Sequence, residues 1–169
     1  MRDLLFAFWL FLPAGIANAV PPILTRIFGP GRPIDSGHTF RGNPILGTHK
    51  TWQGLIGGTI AGAATFAIQR FFDHDNVPLV LAVLMAFGAL CGDLLKSFFK
   101  RQMAIAPGTS WFPIDQLDYV FGALAVTVPL MSLPWRIVLD TIAVYFVLHL
   151  IVSAVGYCVV WMGGAPPPL

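Results

Sequence analysis

The sequence predicts an all-α integral membrane protein with five transmembrane helices in a single domain, 1–169. Of its residues 56% are hydrophobic and 11% are charged, whereas about a quarter of the residues in an ordinary soluble domain are charged. The apolar residues fall into runs that are long enough, at about 1.5 Å per residue, to cross most of a hydrocarbon core of roughly 30 Å. Because backbone groups in lipid must pair within their own segment, each run is predicted to be helical. The five runs are about 4–24, 54–72, 77–95, 117–135 and 137–162.

The first run imitates a secretory signal, since Arg2 precedes it and Ala17-Asn18-Ala19 has the form of a cleavage site. Cleavage would send the next segment across the membrane, although that segment is rich in cations. By the positive-inside rule such a segment stays in the cytoplasm, so we predict a retained helix with the N-terminus outside. Three prolines are expected to bend this helix and help to end it: Pro13, Pro21 and Pro22.

The same topology places the C-terminus and two long loops, about 25–53 and 96–116, in the cytoplasm. The external connections are then about 73–76 and 134–136. Seven cations fall on the inner side, namely Arg26, Arg32, Arg41, Lys50, Lys96, Lys100 and Arg101, and three on the outer side, namely Arg2, Arg70 and Arg136. This bias supports the assigned orientation.

The second run carries Gly54, Gly58 and Gly62, a spacing that lets another helix approach closely. The spacing leaves open whether that helix belongs to the same chain or to a second protomer in a homodimer. The fifth run ends in 163–168, which is predicted to be a short disordered tail.

Composition gives little sign of other partners or of zinc. Cys91 and Cys158 lie in separate apolar runs without a C-x-x-C spacing, which favours packing roles. The histidines form no H-E-x-x-H pattern. A net charge of +2 does not require a nucleic acid partner.

The catalytic residues are predicted to lie between Gly92 and Tyr119, in a polar segment that joins two apolar runs. Asp93 follows a long uncharged stretch, and Asp115 and Asp118 share a helical face at the start of the next run. Ionisable groups at membrane depth are by default functional. Two antiparallel helices joined by a cytoplasmic loop would bring these three carboxylates into one pocket at the inner interface.

Three unpaired carboxylates would repel one another, and a hard cation such as Mg²⁺ removes that repulsion. The neighbouring cations Lys96, Lys100 and Arg101 could then hold phosphate oxygens. A purely structural alternative stays open, in which these acids form interfacial salt bridges or orient a helix. In the first loop, Lys50-Thr51 at the start of a helix also favours an anion, although G-x-x-x-x-G-K-[ST] is absent.

The polar segment 92–119 resembles the signature of the CTP-dependent phosphatidate cytidylyltransferases, the CDP-diacylglycerol synthases. The matching residues are Gly92-Asp93, Ser97, Lys100-Arg101, Pro107-Gly108, Asp115 and Asp118. The loop F-R-G-N-P-I-L-G-T-H-K-T-W-Q-G over 40–54 is more similar to their archaeal relatives, the CDP-archaeol synthases. Uncharged 103–105, Ser110 to Pro113 and Gln116 depart from the bacterial-type pattern, which leaves the number of metal ions open.

The resemblance implies an enzyme at the cytoplasmic face of the cell membrane. It would use Mg²⁺ to transfer CMP from CTP to 2,3-di-O-geranylgeranylglyceryl phosphate, giving CDP-archaeol and pyrophosphate. The metal ligands it implies are Asp93, Asp115 and Asp118, with Lys96, Lys100 and Arg101 on phosphates. The substrate-binding residues it implies are Arg41, Lys50, Thr51, Ser97, Pro107 and Gly108. No general base is needed, because a phosphate monoester is mostly dianionic at neutral pH.

Two other functions are alternatives to the enzyme. A small ion or solute transporter would distribute its acids through the depth of the bilayer, whereas the acids here cluster at one face. A CDP-alcohol phosphotransferase would carry D-G-x-x-A-R, which the sequence lacks.

Overall fold

The computed structural model describes residues 2–72 and 78–162, with side chains to 155. Five helices form within this part of the chain: α1 Arg2–Phe28, α2 Trp52–Gln69, α3 Leu79–Gln102, α4 Ile114–Met131 and α5 Trp135–Met162. Four of them, α1, α3, α4 and α5, are long and apolar enough to cross a membrane. The mostly helical membrane class is therefore confirmed. The predicted outer connection 73–76, the predicted tail and the Cys158 side chain lie outside the described residues.

Helix α1 continues past all three of its prolines to Phe28, so the prolines do not end it as the sequence predicted. A proline removes the N–H that would bond the carbonyl four residues earlier. The carbonyl freed by Pro13 belongs to Trp9, and it accepts a hydrogen bond of 2.7 Å from the buried Gln69 side chain on α2. This outside donor offsets part of the cost of a proline within the helix.

Helix α2 packs against α1 and α3 through its glycine face. A Cβ at Gly62 would lie 2.8 Å from the Pro13 carbonyl oxygen and 2.5 Å from the Ala86 Cβ. A Cβ at Gly58 would lie 2.6 Å from the Ala17 carbonyl oxygen. Side chains larger than hydrogen cannot fit at this distance. The helices that the glycine spacing predicted to approach are thus α1 and α3 of the same chain.

Helices α3 and α4 are antiparallel neighbours that meet through glycine. A Cβ at Gly92 would overlap the Asp118 carbonyl oxygen, and one at Gly88 would lie 2.7 Å from the Gly122 carbonyl oxygen. The two backbones therefore touch directly. This contact sets Asp93, next to Gly92, beside Asp118 on the facing helix.

The remaining core joins α1, α3, α4 and α5. Its largest buried side chain is Tyr145 on α5, whose hydroxyl donates to the Phe8 carbonyl oxygen at 2.8 Å and whose ring packs edge-on against Tyr119. The members of this cluster are Leu10, Phe11, Ala14, Met85, Ala89, Tyr119, Val120, Ala123, Leu124 and Tyr145. The cluster fixes α5 against the bundle one helical turn from His149.

The loop between α1 and α2 contains a short antiparallel hairpin, β1 Thr39–Phe40 and β2 Asn43–Pro44, which the sequence did not predict. This hairpin rests on the C-terminal end of α3. The Gln102 amide donates to the Pro44 carbonyl oxygen at 3.3 Å, and the rings of Phe40 and Phe98 lie 6.2 Å apart. Both long loops therefore lie at the same end of the bundle.

Candidate functional site

Three carboxylates converge on one ammonium group at the loop end of the bundle. The Lys96 Nζ atom lies 3.1 Å from Asp93 Oδ1, 3.3 Å from Asp115 Oδ1 and 2.7 Å from Asp118 Oδ2. Asp93 and Lys96 come from α3, and both other acids come from the first turns of α4. The convergence follows from the i, i+3 spacing on each helix and from the Gly92 contact between them.

Two further lysines complete the cluster. Lys50 from the first loop contacts Asp93 Oδ2 at 2.5 Å, and Lys100 contacts Asp115 Oδ2 at 2.9 Å. Lys100 also donates to the Thr109 carbonyl oxygen at 2.6 Å, which ties the α3–α4 connection to the cluster. Three acids thus face three lysines. Such a site is electrically balanced when empty, and it can bind a polyanion together with a cation without a large net charge.

Backbone N–H groups donate hydrogen bonds to two of the three carboxylates. Asp115 Oδ2 accepts from the Trp111 N–H at 2.6 Å, and Asp118 Oδ1 accepts from the Tyr119 N–H at 2.7 Å. The Asp118 side chain is 3% exposed. These bonds fix the carboxylates near the helix N-terminus, where negative charge is favoured.

Most of the cluster lines a pocket of about 440 Å³. Helices α1, α2 and α3, the first loop, the start of α4 and the middle of α5 contribute to its walls. Its charged or ionisable lining includes Lys50, Asp93, Lys96, Asp115, Asp118 and His149. Neutral side chains also line it, among them Asn18, Pro21 and Pro22.

The first loop reaches the pocket because Asp35 holds its two halves together. Asp35 Oδ2 accepts from the N–H groups of Leu46 and Gly47, each at 2.9 Å, and Oδ1 accepts from that of Gly37 at 3.0 Å. Partial burial acts to raise the pKa of Asp35, but the backbone donors outweigh it and hold that pKa below its ordinary value. The closed loop then presents Lys50 to Asp93.

The remaining residues predicted for the site lie at different distances from this pocket. Thr51 lines it, but its hydroxyl oxygen accepts from the Gly54 N–H and caps α2. Ser97 is buried and donates to the Asp93 carbonyl oxygen at 2.9 Å. Arg101 passes near Gly47, between the two loops. The Arg41 guanidinium lies over the Phe40 ring, 5.3 Å from its centroid. Pro107 and Gly108 are exposed in the α3–α4 connection.

The polar pocket and loop residues that were not predicted for the site include Asn18, Asp35 and His149. Asn18 and His149 each interrupt an apolar run, which is the usual mark of a functional side chain at membrane depth. The His149 ring also packs 6.2 Å from that of Tyr119, next to Asp118. Asp35 carried no signal beyond its place in a glycine-rich loop, because its partners are 11 and 12 residues away.

The carboxylate oxygens of the cluster suit a hard cation, although they do not form a preformed metal site. Among the described residues, no group of three or more His, Cys, Asp or Glu side chains is arranged to hold a metal ion. The Lys96 ammonium instead lies where the three carboxylates meet. Because Mg²⁺ typically takes one or two carboxylates and completes its shell with phosphate and water, the residues fit an ion that binds with a phosphate ligand.

Comparisons with known proteins cover nearly the whole chain. A family model described as CarS-like, CDP-archaeol synthase, matches residues 1–162. The CDP-archaeol synthase of Thermococcus onnurineus is 42% identical over 139 residues, 79% of each chain. That of Pyrococcus furiosus is 36% identical over 166 residues, 95% of this chain and 97% of the relative. A solved structure of an intramembrane enzyme for archaeal membrane lipid biosynthesis superposes with a TM-score of 0.81 at 36% identity, covering 89% of this chain and 94% of that one.

Proposed function

The chain belongs to the CDP-archaeol synthase family, which confirms the resemblance seen in the sequence, and from that premise we propose the reaction that it catalyses. It is a CTP-using cytidylyltransferase that transfers CMP from CTP to 2,3-di-O-geranylgeranylglyceryl phosphate. The products are CDP-archaeol and pyrophosphate. The observation that carries the proposal is the balanced cluster of three aspartates and three lysines in a pocket at the loop end of the membrane helices.

The chemistry requires alignment and charge neutralisation more than proton transfer. An oxygen of the lipid phosphate attacks the α-phosphorus of CTP in line, a new P–O bond forms, and the bond to the β-phosphate oxygen breaks to release pyrophosphate. The nucleophile is already an anion near pH 7. Lys50 and Lys96 line the pocket and Lys100 contacts Asp115, which also lines it, so all three lysines can exchange aspartate partners for phosphate oxygens. Holding both reactants in one pocket lowers the entropic part of the barrier.

We further propose Mg²⁺ as the cofactor, held by Asp93, Asp115 and Asp118 together with the triphosphate. All three side chains line the pocket. When bound, the ion neutralises charge that develops on the phosphate oxygens. The lysines then retain the role of orienting those oxygens, and the backbone donors to Asp115 and Asp118 keep the carboxylates in place.

The finer topology is part of the same proposal. Helix α2 spans the membrane as the fifth helix, the N-terminus is outside, and the pocket opens to the cytoplasm. The seven-to-three distribution of cations supports this orientation. CTP would then reach the pocket from the compartment in which nucleotides are made.

The test is cytidylyl transfer by the purified chain in detergent or liposomes. With Mg²⁺, labelled CTP and the lipid phosphate, cytidine label should move into the organic phase as pyrophosphate is released. Asp118→Asn should lower kcat at least 100-fold without unfolding the protein, whereas the matched control Asp140→Asn, which changes an acid of α5 outside the pocket, should stay near wild type. Label that remains aqueous with every lipid phosphate would reject the enzyme and favour a transporter.

A further inference from the structure

Helix α5 meets the rest of the bundle along a narrow stripe that leads to the pocket. In the part of α5 whose side chains are described, the buried residues are Ile137, Thr141 and Tyr145, spaced four residues apart. Residues four apart lie on one face of a helix. The next residue in this series is His149, which lines the pocket. The last two residues of the stripe therefore bring two rings next to the acidic cluster.

Both of these rings pack against Tyr119 of α4. The Tyr119 ring lies edge-on to that of Tyr145, with centroids 6.3 Å apart, and its centroid is 6.2 Å from that of His149. Tyr119 is 5% exposed, and its hydroxyl makes only a long hydrogen bond of 3.5 Å to the Tyr145 carbonyl oxygen. Edge-on packing is a preferred arrangement of aromatic pairs. The ring of Tyr119, more than its hydroxyl, therefore joins α4 to α5.

Tyr145 is itself held in place by α1. Its hydroxyl donates to the Phe8 carbonyl oxygen at 2.8 Å, and its ring stacks on the Phe8 ring with centroids 6.2 Å apart. Gly15 lets α1 approach the same ring, since a Cβ there would lie 3.0 Å from it. A side chain packed this closely has little freedom to move. Tyr119 thus packs against a ring whose own position is fixed.

The Tyr119 contact complements the glycine contact between α3 and α4. At Gly92 the two helices touch backbone to backbone, beside the Asp118 carbonyl group, which sets the distance between them. Rotation of a helix about its own axis is opposed by side chains that interlock with a neighbour. Asp118 and Tyr119 point about 100° apart around α4. A rotation that turned Asp118 away from Lys96 would therefore also move Tyr119 off the rings of α5.

We propose that Tyr119 is a positioning residue for Asp118, an inference that rests on the proposed function. Its ring, packed against Tyr145, fixes the rotation of α4. This rotation holds the Asp118 carboxylate where it contacts Lys96 at 2.7 Å and where it would bind the proposed Mg²⁺. Tyr119 does not line the pocket, so its effect on the reaction passes through Asp118.

The experiment removes the ring and measures the response to Mg²⁺. Tyr119→Leu keeps an apolar side chain but loses the contact with Tyr145. Loss of a group that orients a metal ligand costs about 10–100-fold in metal affinity or activity, so the Mg²⁺ concentration that gives half the maximal rate should rise about ten-fold. The gain in Tm that Mg²⁺ with CTP produces in the absence of lipid phosphate should shrink in parallel. Tyr119→Met serves if the leucine variant does not fold.

Tyr119→Phe distinguishes the ring from the hydroxyl. It keeps the packing against Tyr145 and gives up only the hydrogen bond of 3.5 Å. This conservative variant should therefore recover most of the wild-type response to Mg²⁺, in the rate as well as in Tm.

Two further variants separate positioning from general stability. Phe11→Leu is the matched control, because Phe11 is 1% exposed in the same buried cluster but lies on α1. It should lower Tm without ligand and leave the Mg²⁺ requirement unchanged. Tyr145→Leu removes the same ring contact from α5 and should raise the Mg²⁺ requirement as Tyr119→Leu does. Because both changes remove one contact, the double variant should add little to either single variant.

Four results would overturn the inference. They are an unchanged Mg²⁺ requirement and Tm gain in Tyr119→Leu, an equal rise of the requirement in Phe11→Leu, full additivity in the double variant, and a wild-type rate that needs no divalent ion. A wild-type chain that makes no cytidylylated lipid from CTP rejects the proposed function itself. Because wild-type activity is measured first, the two failures are distinguishable.

Discussion

At the scale of single residues, Lys96 decides how the acidic cluster is held in the absence of ligand. Its ammonium is shared by Asp93, Asp115 and Asp118, and its side chain is 14% exposed. Removal of one partner from a buried ionic group leaves uncompensated charge, which costs up to about 3–5 kcal/mol when burial is complete. The same three carboxylates are the proposed ligands of Mg²⁺, so lysine and metal ion offset the same repulsion.

In the presence of EDTA, Lys96→Met should therefore lower the free energy of unfolding by about 1–3 kcal/mol, because the lysine is incompletely buried, and Tm should fall with it. Millimolar Mg²⁺ should restore part of that loss, because the unpaired carboxylates can then bind the ion. Thermal unfolding in detergent with and without Mg²⁺ measures both effects. Lys100→Met is the control, since Lys96 still bridges all three acids there, and it should gain less from Mg²⁺. An equal gain in Tm from Mg²⁺ in both variants would contradict the proposal that the three carboxylates bind the ion.

Asp35 acts on the site from a distance by closing the first loop, and we expect Asp35→Asn to loosen that loop. Loss of the charge weakens hydrogen bonds to Leu46, Gly47 and Gly37, at a cost of about 1 kcal/mol. Trypsin should then cut at the exposed Arg41 several-fold faster, and kcat/KM for CTP should fall as Lys50 is held less well. Thr48→Ala, an exposed change in the same loop, should leave both values unchanged. Equal cleavage rates would refute the closing role.

The same carboxylate predicts a pH dependence that is local to this loop. The pKa of Asp35 in the folded loop lies below its ordinary value of 3.8. Its stabilising contribution is therefore complete above that ordinary pKa and is lost as the pH falls through the lower, folded value. Hydrogen exchange of the Leu46 and Gly47 amides should stay protected at pH 6 and lose protection below about pH 4. Loss of protection between pH 6 and 8 would contradict this sign.

At the scale of elements, the contact between α3 and α4 sets the positions of the acids relative to one another. A Cβ at Gly92 would overlap the Asp118 carbonyl oxygen, and backbone cannot move aside as a side chain can. Gly92→Ala should thus separate the helices, displace Asp93 from Asp118, and lower both kcat and Tm. Gly57→Ala is the matched control, because its Cβ would meet the end of the flexible Leu24 side chain. Similar kcat and Tm in the two variants would show that the contact does not position the site.

The convergence of the acids was the part of this arrangement that sequence spacing could predict. Asp115 and Asp118 share a face by their i, i+3 spacing, and a loop that joins antiparallel helices brings them to Asp93. The pairing of Lys50 with Asp93 could not be predicted, because it depends on the path of a loop that Asp35 closes. The end of α1 was mispredicted for a similar reason, since a contact to its last turns comes from a distant residue: the Gln53 amide donates to the Leu24 carbonyl oxygen at 3.4 Å.

At the scale of the whole molecule, the structure places both long loops at one end, whereas the side of the membrane that this end faces is a prediction from charge. Gln102, the last residue of α3 before the second loop, donates to the Pro44 carbonyl oxygen in the first loop, so a label that reaches one loop must reach the other from the same side. CTP is made in the cytoplasm, and the first loop contributes Lys50 and Thr51 to the pocket. If the loops faced outward, the proposed reaction would lack its nucleotide.

Cysteine labelling in whole cells decides the orientation. In a Cys91→Ala/Cys158→Ala background, single reporters at the exposed Thr48 and Ser110 test the two loops, and Ser132→Cys tests the connection at the opposite end. A membrane-impermeant maleimide should label Ser132→Cys in intact cells, and Thr48→Cys and Ser110→Cys after permeabilisation alone. The expected pattern follows from seven cations at the loop end against three at the other. The reverse pattern would move the site outside and remove its supply of CTP, whereas labelling of the two loops from opposite sides would contradict the packing of the hairpin on α3.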